Sequence, residues 1–543
     1  MDVRNLGSIP IDEVLDCDVC IVGSGPAGGT IVRELANSSL RVILVESGGI
    51  DVQPGPGELN EIENVGVARA LDQSVVRNRV LGGTSHAWTG RCVGMDEIDY
   101  QQRSCVPHSG WPFGPAEMTP YLYRSAPHLG LGVGSGFSGD NFWSVAGRPP
   151  PSQPRVDENL LQPFFWQFSR TSNPVEPMRF GRRMLTENPP NVRVVTSATV
   201  VHINTDESAS EVNSVEVAAP DDSRRTIRSR MVVLCAGGIE NARLLLASNR
   251  VSSAGLGNEH DVVGRFLMDH PRGSIGTFDP KDAGKLEPYF GFHYVRKSGA
   301  AYTFCQGMRL SPVIQEKEDL LNCAVWNYEL VAADDPWSAV KRIALGKANW
   351  RSDPLVLLAN TGFVAKGLRR RLTSGGGMPR KLEGLGLQCT VEQRPDPDSR
   401  VTLADRLDRH GMPLSRLDWR VSEQEQHTVR RTTELVVQAL AQIHVPASRP
   451  EGWISAGEGF PPTFADVAHH IGTTRMSADP KSGVVDADCQ VHGIRGLFVA
   501  GSSVFPTAGH ANPTQMIVAL AVRLADTLKQ AAKLPSAAMA ALV

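Results

Sequence analysis

The sequence predicts an α/β fold made of two units, one of them a dinucleotide-binding domain. Three observations predict it. A strand, a glycine turn, a helix, a second strand and an acidic residue follow one another within the first 46 residues. Apolar strand-like runs of the same kind recur far downstream, at 191–203, 231–236 and 496–500. The 543 residues exceed what one ordinary core accommodates.

Cys17-Asp-Val-Cys-Ile-Val22 reads as a short buried strand that enters Gly23-Ser-Gly-Pro-Ala-Gly28. Thr30–Ala36 carries helical spacing, and Arg41-Val-Ile-Leu-Val45 is a second strand ending at Glu46. A lone G-x-G-x-x-G is weak; in this order it is a strong nucleotide fingerprint. Gly23 permits the tight turn, Gly25 lets the backbone approach a pyrophosphate, and Gly28 allows close helix–strand packing. Ser24 and Ala27 complete the turn, and the pyrophosphate rests on the helix N-terminus. Glu46, with Ser47 beside it, is placed for the ribose hydroxyls, and its charge disfavours the 2′-phosphate of NADP.

A second glycine loop, Arg79-Val-Leu-Gly-Gly-Thr-Ser-His-Ala-Trp-Thr-Gly-Arg91, contributes Gly82, Gly83, Thr84, Trp88 and Thr89. A nicotinamide enzyme has no need of it, whereas FAD, whose isoalloxazine lies far from the first turn, does. Met231–Ala236 is a further buried strand, and Ala236 and Gly237 form a second phosphate-side turn opening a helix through Leu246. Near the C-terminus, the run 496–500 leads through Gly501 and Ser502 into a loop with His510 and Asn512, then an apolar helix from Met516. Asn512 is a favoured N-cap, with Pro513 and Thr514 opening the helix. The positive end of that helix points into the loop, where it stabilises negative charge such as that of a reduced flavin.

Bulk composition is that of an ordinary globular protein: 41% hydrophobic, 21% charged, net charge −3. Nothing in it invites nucleic acid. Nine cysteines are scattered, and the Cys17/Cys20 pair lies inside a strand rather than in a metal or redox motif. No signal peptide or membrane-length run is visible, so reduced thiols and a cytoplasmic setting are expected.

Four separated motifs then give the chain a resemblance. They are the fingerprint ending Val45-Glu-Ser-Gly-Gly49, the loop Leu81-Gly-Gly-Thr84, the run Val232–Leu246, and the region His469–Thr514. Together they resemble the glucose-methanol-choline (GMC) oxidoreductases, a family of FAD enzymes, over nearly the whole length. The resemblance implies a Rossmann-like FAD domain assembled from 1–100, 180–272 and 465–543. It also implies a substrate domain from 101–179 and 273–464, built on an antiparallel sheet. Leu387–Glu392, Arg400–Leu403 and Asp418–Val421 are expected strands there, and backbone near Val200 is implied to contact the adenine.

Oxidising an alcohol by hydride transfer needs a base for the hydroxyl proton and a neutral hydrogen-bond partner for the substrate oxygen. In the family a histidine stands three residues before a glycine, here Gly472, which points to His469 as base. The second member of the pair precedes Pro-Thr, which points to Asn512. His470 is the competing base; neighbours on extended chain face opposite ways, so one of the two serves. His510 lines the pocket or is a loop histidine. His108 and Trp111 line the pocket or form a buried turn.

Some relatives bond FAD through a histidine just before the position of Trp88. Ala87 stands there and His86 is one place early, so FAD is expected to be non-covalent. The expected substrate is a small-molecule alcohol of the sugar, glycoside or polyol kind, with oxygen, a quinone or a protein as acceptor. A lyase retaining FAD as structure, or a flavin subunit of an electron-transfer complex, are the alternatives. Ser338–Leu372 is basic and carries Trp350 and Leu355-Val-Leu-Leu358. It reads as a lid, as a surface for a membrane or acceptor, or as a solvated helical hairpin, with membrane contact the less expected. Lys533–Val543 is expected to fray.

Overall fold

In the computed structural model, residues 2–52, 57–132, 137–138, 140–147, 149–171, 176–297, 299–374 and 379–533 are described. The tail expected to fray lies outside them beyond Lys533.

The valine- and isoleucine-rich runs form one mixed eight-stranded sheet. Asp2–Asn5, Val192–Thr196, Val42–Val45, Leu15–Val22 and Arg224–Leu234 lie side by side and parallel. Leu497–Val499 is also parallel to Arg224–Leu234, and Val212–Ala218 and Thr199–Thr205 complete an antiparallel edge. Strands covered on both faces need unbroken apolar sequence, and Val19, Cys20, Ile21, Leu44, Val232 and Leu234 are buried accordingly. Helices Pro26–Leu35 and Thr514–Ala531 pack together against this sheet.

The second sheet has nine strands, all paired antiparallel. Its main path runs Arg449–Pro450, Arg272–Phe278, Leu382–Val391, Cys323–Val331, Ala300–Leu310, Leu161–Phe168 and Arg91–Cys92. Alternation gives it two different faces. Met308, Val325, Leu387 and Cys389 face back, under the helix Glu423–Gln442 with its Val429, Leu435 and Val436. Phe164, Trp166, Cys305, Ala324 and Trp326 face front, toward Ala511 of the C-terminal loop.

Two expectations are corrected. The strand expected over Asp418–Val421 is Pro413–Asp418 instead. The chain leaves it at Trp419, whose indole N–H donates to Gln393 Oε1 at 2.8 Å. With Arg400–Leu407 and Ile62–Asn64 it forms a separate three-stranded sheet. The segment read as a hairpin holds three helices, Pro336–Ala344, Asp353–Ala359 and Thr361–Ser374. The connection between the first two carries Trp350 and the second helix carries Leu355 and Leu358, all exposed. Among the described residues no helix is long and apolar enough to cross a membrane.

Candidate active site

Three neighbouring parallel strands, Leu15–Val22, Arg224–Leu234 and Leu497–Val499, end in glycine turns on the same edge. Gly23 and Gly237 have φ of 99° and 92°, and Gly501 has 111°, which side chains resist. A Cβ on Gly28 would lie 1.9 Å from the carbonyl oxygen of Gly23, so this turn accepts glycine alone. At Gly25, Gly237 and Gly501, by contrast, a Cβ would enter open space. Open backbone at the carboxyl ends of adjacent parallel strands is where a dinucleotide is received, and this cradle fits FAD.

The second glycine loop closes against the first. Gly83 backs onto Gly25, and the Gly82 N–H donates to Ser24 Oγ at 2.9 Å. Ala27 is buried in the first turn of its helix. Glu46 is buried, its carboxylate taking the N–H and O–H of Ser24 and the N–H of Gly48. Burial raises its pKa against these bonds. Ser47 bonds Thr199 Oγ1 at 2.8 Å beside Val200. Thr84 and Thr89 are exposed; the Trp88 indole donates to Met178 O at 2.9 Å. His86 Nε2 donates to Leu81 O at 3.1 Å, which ties its ring to its own loop. The N–H of Ala236 is held by Asn241 Oδ1 at 2.8 Å, and Ser502 Oγ donates to His470 O at 2.7 Å.

The C-terminal helix begins at Thr514 with Pro513 already helical, and no side chain caps it. Asn512 is therefore not its cap. Among the described residues its half-buried carboxamide makes no hydrogen bond and is uncommitted.

His469 is oriented by a histidine that sequence reasoning missed. His270 Nε2 lies 2.8 Å from the carbonyl oxygen of Gly509, which can only accept. Burial lowers the pKa of His270, so its ring is neutral and its Nδ1 is an acceptor. His469 Nδ1, 2.9 Å away, must then be the donor. The hydrogen-bond network thus assigns His469 the tautomer with a bare Nε2, which has no protein partner among the described residues. Burial, with His270 adding to it, pushes the His469 pKa down to about 3.

Asp269, the residue before His270, anchors the same turn. Its Oδ1 takes the N–H groups of His270, Val467 and His469 at 2.7, 3.2 and 3.1 Å. Its Oδ2 lies 2.6 Å from Arg69 Nη1, an ion pair closed to solvent. Arg69 holds this carboxyl far below the usual range once burial is overcome. Arg69 also lies 4.7 Å over the Trp419 ring. The run Leu267-Met-Asp-His-Pro271 was the available signal: a polar pair after an apolar one, stopped by proline.

The other histidines divide. His470 is buried, its Nε2 unpartnered, with its backbone under Gly238. His510 is buried edge-on to Phe164, its Nε2 3.2 Å from Asp96 Oδ2, and burial pushes its pKa down to about 3. His108 is exposed against Phe266. Trp111 is buried and pins the C-terminal loop by donating to Thr507 Oγ1 at 2.8 Å. Cys17 and Cys20 are buried in their strand, all nine cysteines are free thiols, and no metal-binding cluster occurs among the described residues.

Two family models match the chain, both described as GMC oxidoreductase, over residues 183–272 and 395–521. The large subunit of fructose dehydrogenase from Gluconobacter japonicus is 22% identical, over 95% of this chain and 98% of that protein. A C-glycoside 3-oxidase from Microbacterium trichothecenolyticum is 36% identical over 27% of each chain. The crystal structure of pyridoxine 4-oxidase from Mesorbium loti superposes with a TM-score of 0.55 at 17% identity, covering 95% of this chain and 99% of that one.

Proposed function

We propose, from the premise that this chain belongs to the GMC oxidoreductase family and is an oxidoreductase acting on CH–OH donors, that it oxidises a sugar, glycoside or polyol hydroxyl to a carbonyl. The family implies FAD, which when bound accepts at N5 the hydride leaving the carbinol carbon. His469 Nε2 takes the hydroxyl proton, the Asn512 carboxamide donates to the substrate oxygen, and the Asn512–Thr514 end of the last helix contributes its positive field. The observation that carries this is the His270 relay, which leaves the nitrogen of His469 distal to its donor unprotonated. His270 acts as a positioning residue.

We assign 1–100, 180–272 and 465–543 to the cofactor and 101–179 and 273–464 to the substrate. Glu46 and Ser47 serve the ribose, Val200 the adenine, and the Gly23–Gly28, Gly82–Thr84, Ala236–Gly237 and Gly501–Ser502 turns the phosphates and flavin, with Trp88 and Thr89 nearby. Ala87 and the tethered His86 favour non-covalent attachment.

The test is an anaerobic screen of sugars, glycosides and polyols, read as bleaching of flavin absorbance. His469→Ala should keep its flavin and slow bleaching by about 10²–10⁴-fold. Reduction at the wild-type rate would remove His469 from the role of base. Repeating the hits with oxygen and with a quinone identifies the acceptor class.

A further inference from the structure

Arg91 and Arg272 reach the front of the second sheet from its two sides. Arg272 is paired with Thr390, Thr390 with Ala324, and Ala324 with Arg309. Arg91 is paired with Phe168, two residues from Trp166. Directly opposed residues share a face, so both arginines stand on the face that carries Trp166 and Trp326. Both are close to Trp326: its ring centroid is 5.2 Å from the guanidinium carbon of Arg91 and 5.5 Å from that of Arg272. Arg91 also lies 5.1 Å over Trp166.

Most arginines buried elsewhere are answered by acids, Arg475 being the exception, with its Nη2 on the His108 carbonyl and its guanidinium over the Phe266 ring. Arg69 has Asp269, Arg103 has Glu392, Arg243 has Asp408, and Arg309, on this same face, has Asp96. Among the described residues neither Arg91 nor Arg272 has a side-chain acceptor or a carboxylate partner. Arg272 Nε is shut off from solvent without a partner, and so is the indole N–H of Trp166. Aromatic contact offsets only part of the cost of withdrawing a guanidinium from water. These two donors on the face are left without acceptors.

Arg272 also stands beside the proton acceptor. Only Pro271 separates it from His270, and its backbone pairs with Ala465, four residues before His469. Its charge helps keep His469 neutral.

We propose that the alcohol taken by this site is an anion, a hydroxy acid of the sugar-acid class, whose carboxylate docks between Arg91 and Arg272. Its carbinol is thereby presented to His469 and Asn512. Guanidinium forks match a planar carboxylate in shape as well as charge. The inference rests on the reading of His469 and Asn512 given above and narrows its substrate class.

The test uses the flavin-containing protein and two matched pairs: D-gluconate with D-glucitol, and methyl β-D-glucuronide with methyl β-D-glucoside. Binding is read from the flavin difference spectrum, and reduction from anaerobic bleaching. The acid of each pair should bind at least roughly tenfold tighter than its neutral partner. Arg91→Gln and Arg272→Gln should each erase that preference at unchanged flavin content. Arg272→Lys, which keeps charge without the fork, should retain part of it, and the exposed Arg182→Gln all of it. Equal affinity within both pairs, no spectral response to either acid, or a preference that survives both glutamine variants overturns the proposal. Loss of flavin in Arg91→Gln or Arg272→Gln overturns it too, by assigning the arginines to the cofactor. Neutral polyols that bleach the flavin while acids fail to bind sink this inference and leave the His469 reading standing. Acids that bind through the arginines but never bleach the flavin do the reverse.

Discussion

At the glycine edge of the first sheet, Gly23–Gly28, Gly237 and Gly501 offer backbone and space, with side chains held away. On the front of the second sheet, Arg91, Arg272, Trp166 and Trp326 offer side chains, and the backbone is consumed in strand pairing. The two meet across the turn that holds His469. A backbone cradle suits a ligand that does not vary, because glycine turns admit few substitutions. A side-chain wall can be rewritten one residue at a time, so specificity belongs there. The contrast predicts that damage to the edge costs cofactor, while damage to the wall costs substrate recognition.

The largest effect falls on the joint between them. Asp269→Asn takes from buried Arg69 its nearer counter-ion and leaves Asp466, 3.5 Å away, as the second; removing one partner of such a pair costs up to about 3–5 kcal/mol. The expected readout is a sharp drop in the urea midpoint with m unchanged. A neutral result would show that Asp466 alone suffices for Arg69, and would weaken Asp269 as the anchor of both loops. Gly28→Ala comes next. Its methyl collides with the Gly23 carbonyl, so about 1–3 kcal/mol of strain and most of the bound flavin should be lost. Full flavin content would break the contrast at its edge.

A pH series sharpens it further. His469, His470, His510 and His270 are all held below their usual pKa by burial. Unfolded, each takes up its proton near pH 6.5, while the folded protein declines it. The histidine contribution to stability is therefore flat above about pH 6.5 and falls as pH drops below it, each histidine adding a slope of about 1.4 kcal/mol per pH unit. Thermal midpoints between about pH 8 and about pH 5 should show this, and His510→Gln should lessen the slope. The smallest effect is Trp111→Phe, which removes the bond to Thr507 and costs about 1 kcal/mol. Faster amide exchange in residues 505–510 is the accompanying sign.

The edge was legible in the sequence because its parts are contiguous. Strand, turn and helix from Leu15 to Leu35 follow without interruption, and Gly28 must be glycine for a reason internal to that turn. His469 and Asn512 were singled out by the family resemblance, which marks a histidine three residues before Gly472 and a residue just before Pro513. The wall was legible only in part: Leu387–Glu392 was expected as a strand and lies in Leu382–Val391, while its neighbours gave weaker signals. Leu161–Phe168 carries Pro163, Arg272–Phe278 carries Gly273 and Gly276, and Leu382–Val391 carries Gly384 and Gly386, each of which weakens a strand signal. Nor does local pattern join His270 to His469 across 199 positions, or Arg69 to Asp269 across 200. The helix cap assigned to Asn512 failed for a related reason. A favoured residue type marks where a cap can stand, and the helical Pro513 beside it decided otherwise.

The strand Leu497–Val499 lies against Val232–Leu234, more than 260 positions upstream of it, as the pairing Val232↔Leu497 shows. During synthesis the ribosome must pass Val499 before that flank of the nucleotide fold can be covered. Until then Val232–Leu234 offers an open apolar margin to whatever is nearby. A chain arrested before Leu497 should therefore load no flavin and should bind chaperones, an outcome that arrested nascent chains can be assayed for.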